Sequence, residues 1–377
     1  MILWREARVA SLVREWDGAV EYEVDVLPEG IDPGLRRCRA LAYPRLVGKP
    51  EVGELVLLNT TALERGLGTG GYALIVALPQ RIPAHPPRGP GHLVKARYTP
   101  LQAMVLGVDE LESEHHALLA DADDLLGMPV IVADLHSSLP AIVAGLRHPN
   151  PTCRVGYVMT DGGALLAWFS RSIAALRQAG WIDVCITAGQ AFGGDLEAVS
   201  VHSALLAAKL VAGVDVVVVT QGPGNLGTGT RWGFSGVQAG EVLNAAAVLN
   251  GHPVAALRVS GADARERHRG ISHHSLTAYG RVALAPADVV VPVLDADPPL
   301  GSGLGELGRL IDQQVAGLVT PVGRHREIRV GVDGLLDALR ATPIGLSTMG
   351  RGLDDDPAAF LAAAAAGRHA RSLLAPR

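Results

Sequence analysis

Five polar loops, each after a run of apolar residues, carry the side chains of this sequence that could do chemistry. They are Asp134-Leu135-His136-Ser137-Ser138, Thr160-Asp161-Gly162-Gly163, Thr187-Ala188-Gly189-Gln190, residues 220–230 and residues 260–275. Asp134 and His136, two positions apart, can set a carboxylate beside an imidazole, the pairing used for general acid–base work. With Asp161, Asn225, His273 and His274 they offer the mixed oxygen and nitrogen donors of a divalent-metal cluster. The candidate catalytic residues are therefore His136, Asp134, Asp161, His273 and His274, and the candidate metal ligands are Asp134 and His136. The structural alternative for His136 is a hydrogen bond to the adjacent loops.

The loop at 220–230 contains Gly222-x-Gly224-x-x-Gly227, the spacing of a dinucleotide fingerprint. Gly229, Gly233 and Gly236 then delay any helix, and no acidic residue on a strand follows about 20 residues later, which argues against a dinucleotide. A Walker-type loop is excluded because no Gly-Lys-Ser or Gly-Lys-Thr occurs. What survives is a glycine loop whose backbone N–H groups can hold an anion or polar ligand. Gly222, Gly224, Asn225, Gly227, Thr228 and Gly229 are its candidate contacts, with Gln190 from a neighbouring loop. A second spacing, Gly66-x-Gly68-x-x-Gly71, lies between two strands and reads as a hairpin; Thr69 within it is a further candidate ligand contact. Arg265, Arg267 and Arg269 either clamp a phosphate or carboxylate or remain solvated. No Gly-x-Ser-x-Gly elbow is present, and Cys185, inside an apolar run, reads as a buried hydrophobe.

The fold class that would position these loops is α/β: a small antiparallel β-barrel-like domain over residues 1–85, a Pro- and Gly-rich connector over 86–100, and a larger, mostly parallel α/β sheet domain over 101–377. In the first part, strands are expected at 8–13, 19–26, 37–42, 54–59 and 72–78, from alternation and turn residues. Five prolines between Pro79 and Pro90 mark the boundary. Beyond it, apolar runs at 129–133, 154–159, 182–187, 214–220, 253–259 and 289–294 read as strands buried on both faces. Helices are expected between them at 138–146, 164–179, 196–212 and 237–249, and later at 301–315, 334–340 and 357–371, with a strand at 327–332. Asp354, Asp355 and Asp356 would favour the last helix by complementing its dipole. Ligands of such sheets bind beyond the strand C-termini.

Composition limits the alternatives. Of 377 residues 48% are hydrophobic, 19% charged and 4% aromatic, with 45 glycines, which describes a chain with a large aliphatic core and many tight loops. A net charge of -5 and few aromatics argue against nucleic acid as a partner, which needs clustered cations and stacking platforms. Only Lys49, Lys95 and Lys209 are lysines among 33 basic residues, so any Schiff-base lysine is one of these. Three scattered cysteines, Cys38, Cys153 and Cys185, point to a reducing compartment. No uninterrupted span of about 20 apolar residues exists, so a cytoplasmic protein with no membrane association is expected. The high apolar content is compatible with a homo-oligomer.

Several stretches together resemble one family: Leu57-Leu58-Asn59-Thr60-Thr61, Gly91 to Gln102, Asp134-Leu135-His136-Ser137, Thr220 to Gly229 and Ser347-Thr348-Met349-Gly350-Arg351-Gly352. The family is an uncharacterised bacterial one of unknown function. The resemblance implies that both domains form a single unit and supplies no catalytic residue. The expectation is an enzyme, a hydrolase or transferase, acting on a small anionic or polar substrate at the sheet's C-terminal edge. The alternative is a non-catalytic ligand-binding or protein-interaction module that uses the barrel.

Overall fold

The computed structural model describes residues 1–27, 35–68, 70–84, 88–149, 153–294, 303–319 and 323–374, so Thr69 lies outside the described residues. Contacts divide the chain into two units, Met1–Val105 and Leu106–Arg377. Each has its own buried apolar cluster.

In the first unit β1 (Trp4–Trp16), β2 (Ala19–Leu27), β3 (Arg37–Ala42), β4 (Leu55–Asn59) and β5 (Ala73–Ala77) close into a barrel in the order β1-β2-β3-β5-β4. Alternation produces it: Val20, Tyr22, Val24 and Val26 of β2 are buried at every second position. β1 serves two neighbours because register shifts at Val9/Ser11 and Leu12/Arg14 bend it. A short helix α1 (Pro44–Val47) follows β3. Two short strands, β6 (Leu93–Lys95) and β7 (Ala103–Val105), pair as an antiparallel ribbon. The division between units therefore falls just past the 86–100 stretch read as a connector.

The second unit opens with the single-turn α2 (His116–Leu119), then β8 (Pro129–Val132), α3 (Leu139–Arg147), β9 (Val155–Thr160), α4 (Arg171–Gln178), β10 (Val184–Ala188) and β11 (Leu196–Ala198). It continues through α5 (Val201–Leu206), β12 (Val216–Gln221), α6 (Gln238–Val248) and β13 (His252–Ala256). An antiparallel ribbon of β14 (Val259–Ser260) and β15 (Gly270–Ile271) leads to α7 (His273–Thr277), followed by β16 (Asp288–Val293), α8 (Gly303–Val319), β17 (Arg326–Gly331) and α9 (Leu335–Arg340). A last ribbon, β18 (Ser347–Thr348) with β19 (Arg351–Gly352), precedes α10 (Pro357–Ser372). Eight strands form one parallel sheet in the order β11-β10-β9-β12-β8-β13-β16-β17. β8, β9, β10 and β12 are buried at every residue, as strands covered on both faces must be.

Three expectations change. The helix expected over 196–212 begins only at Val201, where Ser200 and Ser203 form a capping box. Leu196-Glu197-Ala198 are good helix formers, yet they form the edge strand β11. Pairing with β10 and two hydrogen bonds to the Glu197 carboxylate, from Thr187 Oγ1 at 2.7 Å and Gly193 N at 2.7 Å, override propensity. The helix expected over 164–179 is broken at Ser170, which caps α4 by accepting from the Ile173 N–H at 3.1 Å. The strand expected over 253–259 stops at Ala256, and Val259–Ser260 turn away to pair with β15.

α10 is rich in alanine and almost wholly buried. It packs on α3 at two glycines. A Cβ at Gly145 would collide with the Ala364 carbonyl, and one at Gly367 with the Ile142 carbonyl. Gly367→Ala should therefore destabilise the chain by about 1–3 kcal/mol in urea unfolding. Gly317→Ala, in α8 with open space around it, should instead stabilise by about 0.4–1 kcal/mol. Equal effects at the two positions would show that the helices do not meet backbone to backbone.

Candidate functional site

β8 and β12 are neighbours, but the chain leaves β8 through α3 towards β9 and leaves β12 through α6 towards β13. Connections that depart in opposite directions part the loops above the strand ends and create a crevice. Asp134 follows β8, Gln221 ends β12 and Arg258 follows β13, so all three arrive there. Asp134 is 1% exposed, and neither carboxylate oxygen accepts a hydrogen bond. Arg258 Nη1 and His274 Nδ1 each stand 3.6 Å from its Oδ2. Burial pushes the Asp134 carboxyl up, but His274 and Arg258 outweigh burial and hold it below the usual carboxylate value. Gln221 Nε2 donates to the Asp134 backbone carbonyl at 2.8 Å and to Asn225 Oδ1 at 3.1 Å, while its own Oε1 is buried and unbonded.

His136 is buried with both ring nitrogens engaged, Nδ1 at 2.9 Å from the Tyr157 hydroxyl and Nε2 at 2.6 Å from Ser170 Oγ. The Tyr157 hydroxyl lies 2.8 Å from Thr220 Oγ1, which donates to the Gln221 carbonyl at 2.8 Å. That last donation orients the whole chain. Tyr157 must donate to Thr220 and His136 Nδ1–H to Tyr157. Burial holds the His136 pKa down at about 4, so near neutral pH the ring is uncharged and Nε2 accepts from Ser170. Asp134-x-His136 therefore does not present two free ligand atoms side by side.

The other candidates separate into groups. His273 and His274 open α7 and meet His268, with ring centroids 4.4–5.0 Å apart and Phe234 stacked on His274 at 3.9 Å. Burial, with help from Arg258, pushes His268 down to about 3, and burial with His274 pushes His273 to about 4. Asn225 Nδ2 is 3.5 Å from His274 Nδ1, which joins it to Asp134, Gln221 and Arg258. Asp161 accepts instead from the Gln190 N–H at 2.8 Å, at the end of β10. In the glycine loop, Gly222 is needed for packing, because a Cβ there would strike the Ala164 carbonyl; Gly224 and Gly229 adopt positive φ. Gly227 bridges to Phe234, and Thr228 and Thr230 are exposed and bonded to one another at 3.1 Å. α6 starts only at Gln238, as the delayed helix anticipated. Arg265 grips Asp263 through two contacts of 2.9 Å, so it is not a free clamp. The crevice is tight: the space lined by Asp134, Thr160, Thr220 and Gln221 is about 10 Å³, and a second cavity, of about 20 Å³, is lined by Ser137, Arg258, Asp263, Thr348 and Arg351. A roomier cavity, of about 490 Å³ between Arg269, Glu306 and Asp355, is lined by one of the three arginines read as a possible anion clamp but by none of the candidate catalytic residues. No described helix is long and apolar enough to cross a membrane.

A family model described as a protein of unknown function, DUF3866, matches residues 39–367. The chain belongs to DUF3866. Comparison with curated proteins and with solved structures finds no match. The matched range takes in part of the barrel and nearly all of the second unit of the DUF3866 chain, including every crevice residue described above.

Sequence reasoning passed over Arg258, because it sits inside an apolar run, and His268, because it is one of several basic residues in a loop. The spacing of His268 to His273 and His274, after a strand, was the available signal. It also passed over a cluster at the opposite end of the sheet in the DUF3866 chain. There Asp288, at the start of β16, accepts from His252 Nε2 at 2.7 Å, His369 Nε2 at 2.8 Å and Arg326 Nε at 2.7 Å. Burial raises the Asp288 carboxyl, but these donors outweigh it and hold the group well below the usual value. A carboxyl depressed in the folded state contributes stability that is complete above its unfolded pKa of about 4 and is lost as the pH falls below that. Urea stability should drop steeply below about pH 4. Asp288→Asn should cost about 1.5–3 kcal/mol at neutral pH and flatten that acid limb. An unchanged midpoint would mean that the cluster does not tie the strand ends to α10.

Proposed function

We propose that this DUF3866 protein is a cytoplasmic bacterial enzyme, of hydrolase or transferase type, that acts on a small anionic or polar molecule at the C-terminal edge of its parallel sheet. The observation that carries this reading is Asp134: a carboxylate that is 1% exposed and accepts no hydrogen bond, beside Arg258 and His274. Desolvating a carboxylate is costly, and here Arg258 and His274 at 3.6 Å offset that cost in place of close hydrogen bonds. A purely structural position would be served better by an apolar residue, so the cost fits a group kept for a ligand or a proton transfer. Arg258 supplies a charge for a phosphate or carboxylate, and Asp134 with His274 supplies acid–base capacity.

A thermal-shift screen of phosphorylated and carboxylated metabolites should find compounds that raise the melting midpoint, by mass action on the folded state. Arg258→Ala should weaken binding of such a compound about 10–150-fold, the loss of a charged hydrogen bond. Asp134→Asn should keep binding but lower turnover. A panel with no stabilising compound, or one whose binding is untouched by Arg258→Ala, would sink this reading in favour of a protein-interaction module.

A further inference from the structure

His268 closes a helical turn (Glu266–His268), and His273 and His274 begin α7, with the β14–β15 ribbon holding the segment in place. One ligand atom from each of the three imidazoles lies within 4.8 Å of the other two. His273 Nε2 is buried and unbonded. His268 Nδ1 stands 2.8 Å from Ser272 Oγ, and with that N–H donating to the hydroxyl, Nε2 presents its lone pair. Behind His274 Nδ1, at 3.6 Å, is the unbonded Asp134 carboxylate. A metal-bound histidine characteristically donates its second N–H to a carboxylate, which fixes the ring and raises its basicity.

We propose that His268, His273 and His274 bind one divalent transition-metal ion of the zinc type, with Asp134 as the positioning residue behind His274. Three imidazoles favour zinc, cobalt or nickel over magnesium or calcium, which take oxygen ligands. Tetrahedral zinc with Zn–N bonds of about 2.0–2.1 Å sets its nitrogens about 3.3 Å apart, so the rings must close in, and Arg258 and Asn225, which now face His274 Nδ1, must yield to its N–H. Metal on His274 Nε2 places that ring's proton on Nδ1, which donates to Asp134. Arg258 Nη1, now 3.1 Å from His274 Nδ1, then turns to the carboxylate. Three protein ligands leave a fourth position for water. The other His/Asp group, His252, Asp288 and His369, is a poorer candidate because its carboxylate is already occupied by Arg326 and both imidazoles. The site stands on its own geometry and does not depend on the proposed substrate class; with metal bound, His274 is a ligand and no longer shares the acid–base role given to it above.

The test uses the full chain stripped with a chelator and titrated with Zn²⁺ and Co²⁺. One equivalent should bind, Co²⁺ should show the visible absorption of a nitrogen-ligated tetrahedral site, and X-ray absorption should report Zn–N distances of about 2.0–2.1 Å. His273→Ala and His274→Ala, checked for folding by circular dichroism, should abolish the cobalt spectrum, while His369→Ala should leave it intact. Asp134→Asn should preserve one equivalent but weaken affinity about 10–100-fold. Failure of the unaltered chain to take up a stoichiometric metal overturns the proposal, whether or not the variants fold. So does a spectrum that survives both histidine variants or disappears only with His369→Ala. Since uptake is read without substrate, its failure is distinct from failure of the metabolite screen.

Discussion

Everything around the crevice depends on α3 and α10 touching backbone to backbone through Gly145 and Gly367. The contact puts the start of α10 beside β14, where Asp356 accepts from Ser260 Oγ at 2.5 Å, from the Gly261 N–H at 2.9 Å and from Arg351 Nε at 3.2 Å. Asp356, the N-cap residue of α10, makes no side-chain capping bond and uses its carboxylate to anchor the β14 loop. Arg351 also reaches Asp263 at 3.2 Å, so the β18–β19 ribbon and the loop that delivers His268 are fixed by the same pair of carboxylates. A helix contact on one face of the sheet is in this way converted into the position of imidazoles at its edge.

The charges at the two ends of the sheet are managed differently. Asp288 is fully compensated by two imidazoles and a guanidinium, which makes it a clamp. Asp134 has cations within reach but no hydrogen bond, so part of its solvation is missing. Identical side chains are thus compensated in different ways, and the one held by nearby charges without close hydrogen bonds lies where the strand connections diverge. His136, three bonds into a closed relay, resembles Asp288 in being satisfied, although its sequence neighbour Asp134 is not.

The barrel and parallel strands were legible because their signals are local: alternation in β2, continuous burial in β8 and β12, and an alanine-rich run in α10. β11 was not, since Leu196-Glu197-Ala198 has helical propensity and becomes a strand only through a partner elsewhere in the chain. The five loops were legible as the place to look, because polar residues after apolar runs mark strand ends. Their mutual arrangement was not. Nothing local says that Asp161 turns to Gln190, that Ser170 and Tyr157 occupy both nitrogens of His136, or that Arg258 leaves an apolar run to face Asp134. Glycine spacing misled in one respect: Gly222 answers a packing demand from Ala164, a distant residue that no fingerprint encodes.

The arrangement of α10 also sets a schedule for synthesis. α10 packs on α3 and on β8, β13, β16 and β17, yet residues 148–356 are made after α3 and before α10 begins. At about 5–20 residues per second that interval lasts roughly 10–40 s. The barrel strands are complete by Ala77 and can close while the chain is still on the ribosome. The apolar surface of α3 and β8 cannot be covered so soon. A nascent chain that displays it for tens of seconds is the kind of chain chaperones engage, and two glycines decide whether the cover fits when it arrives.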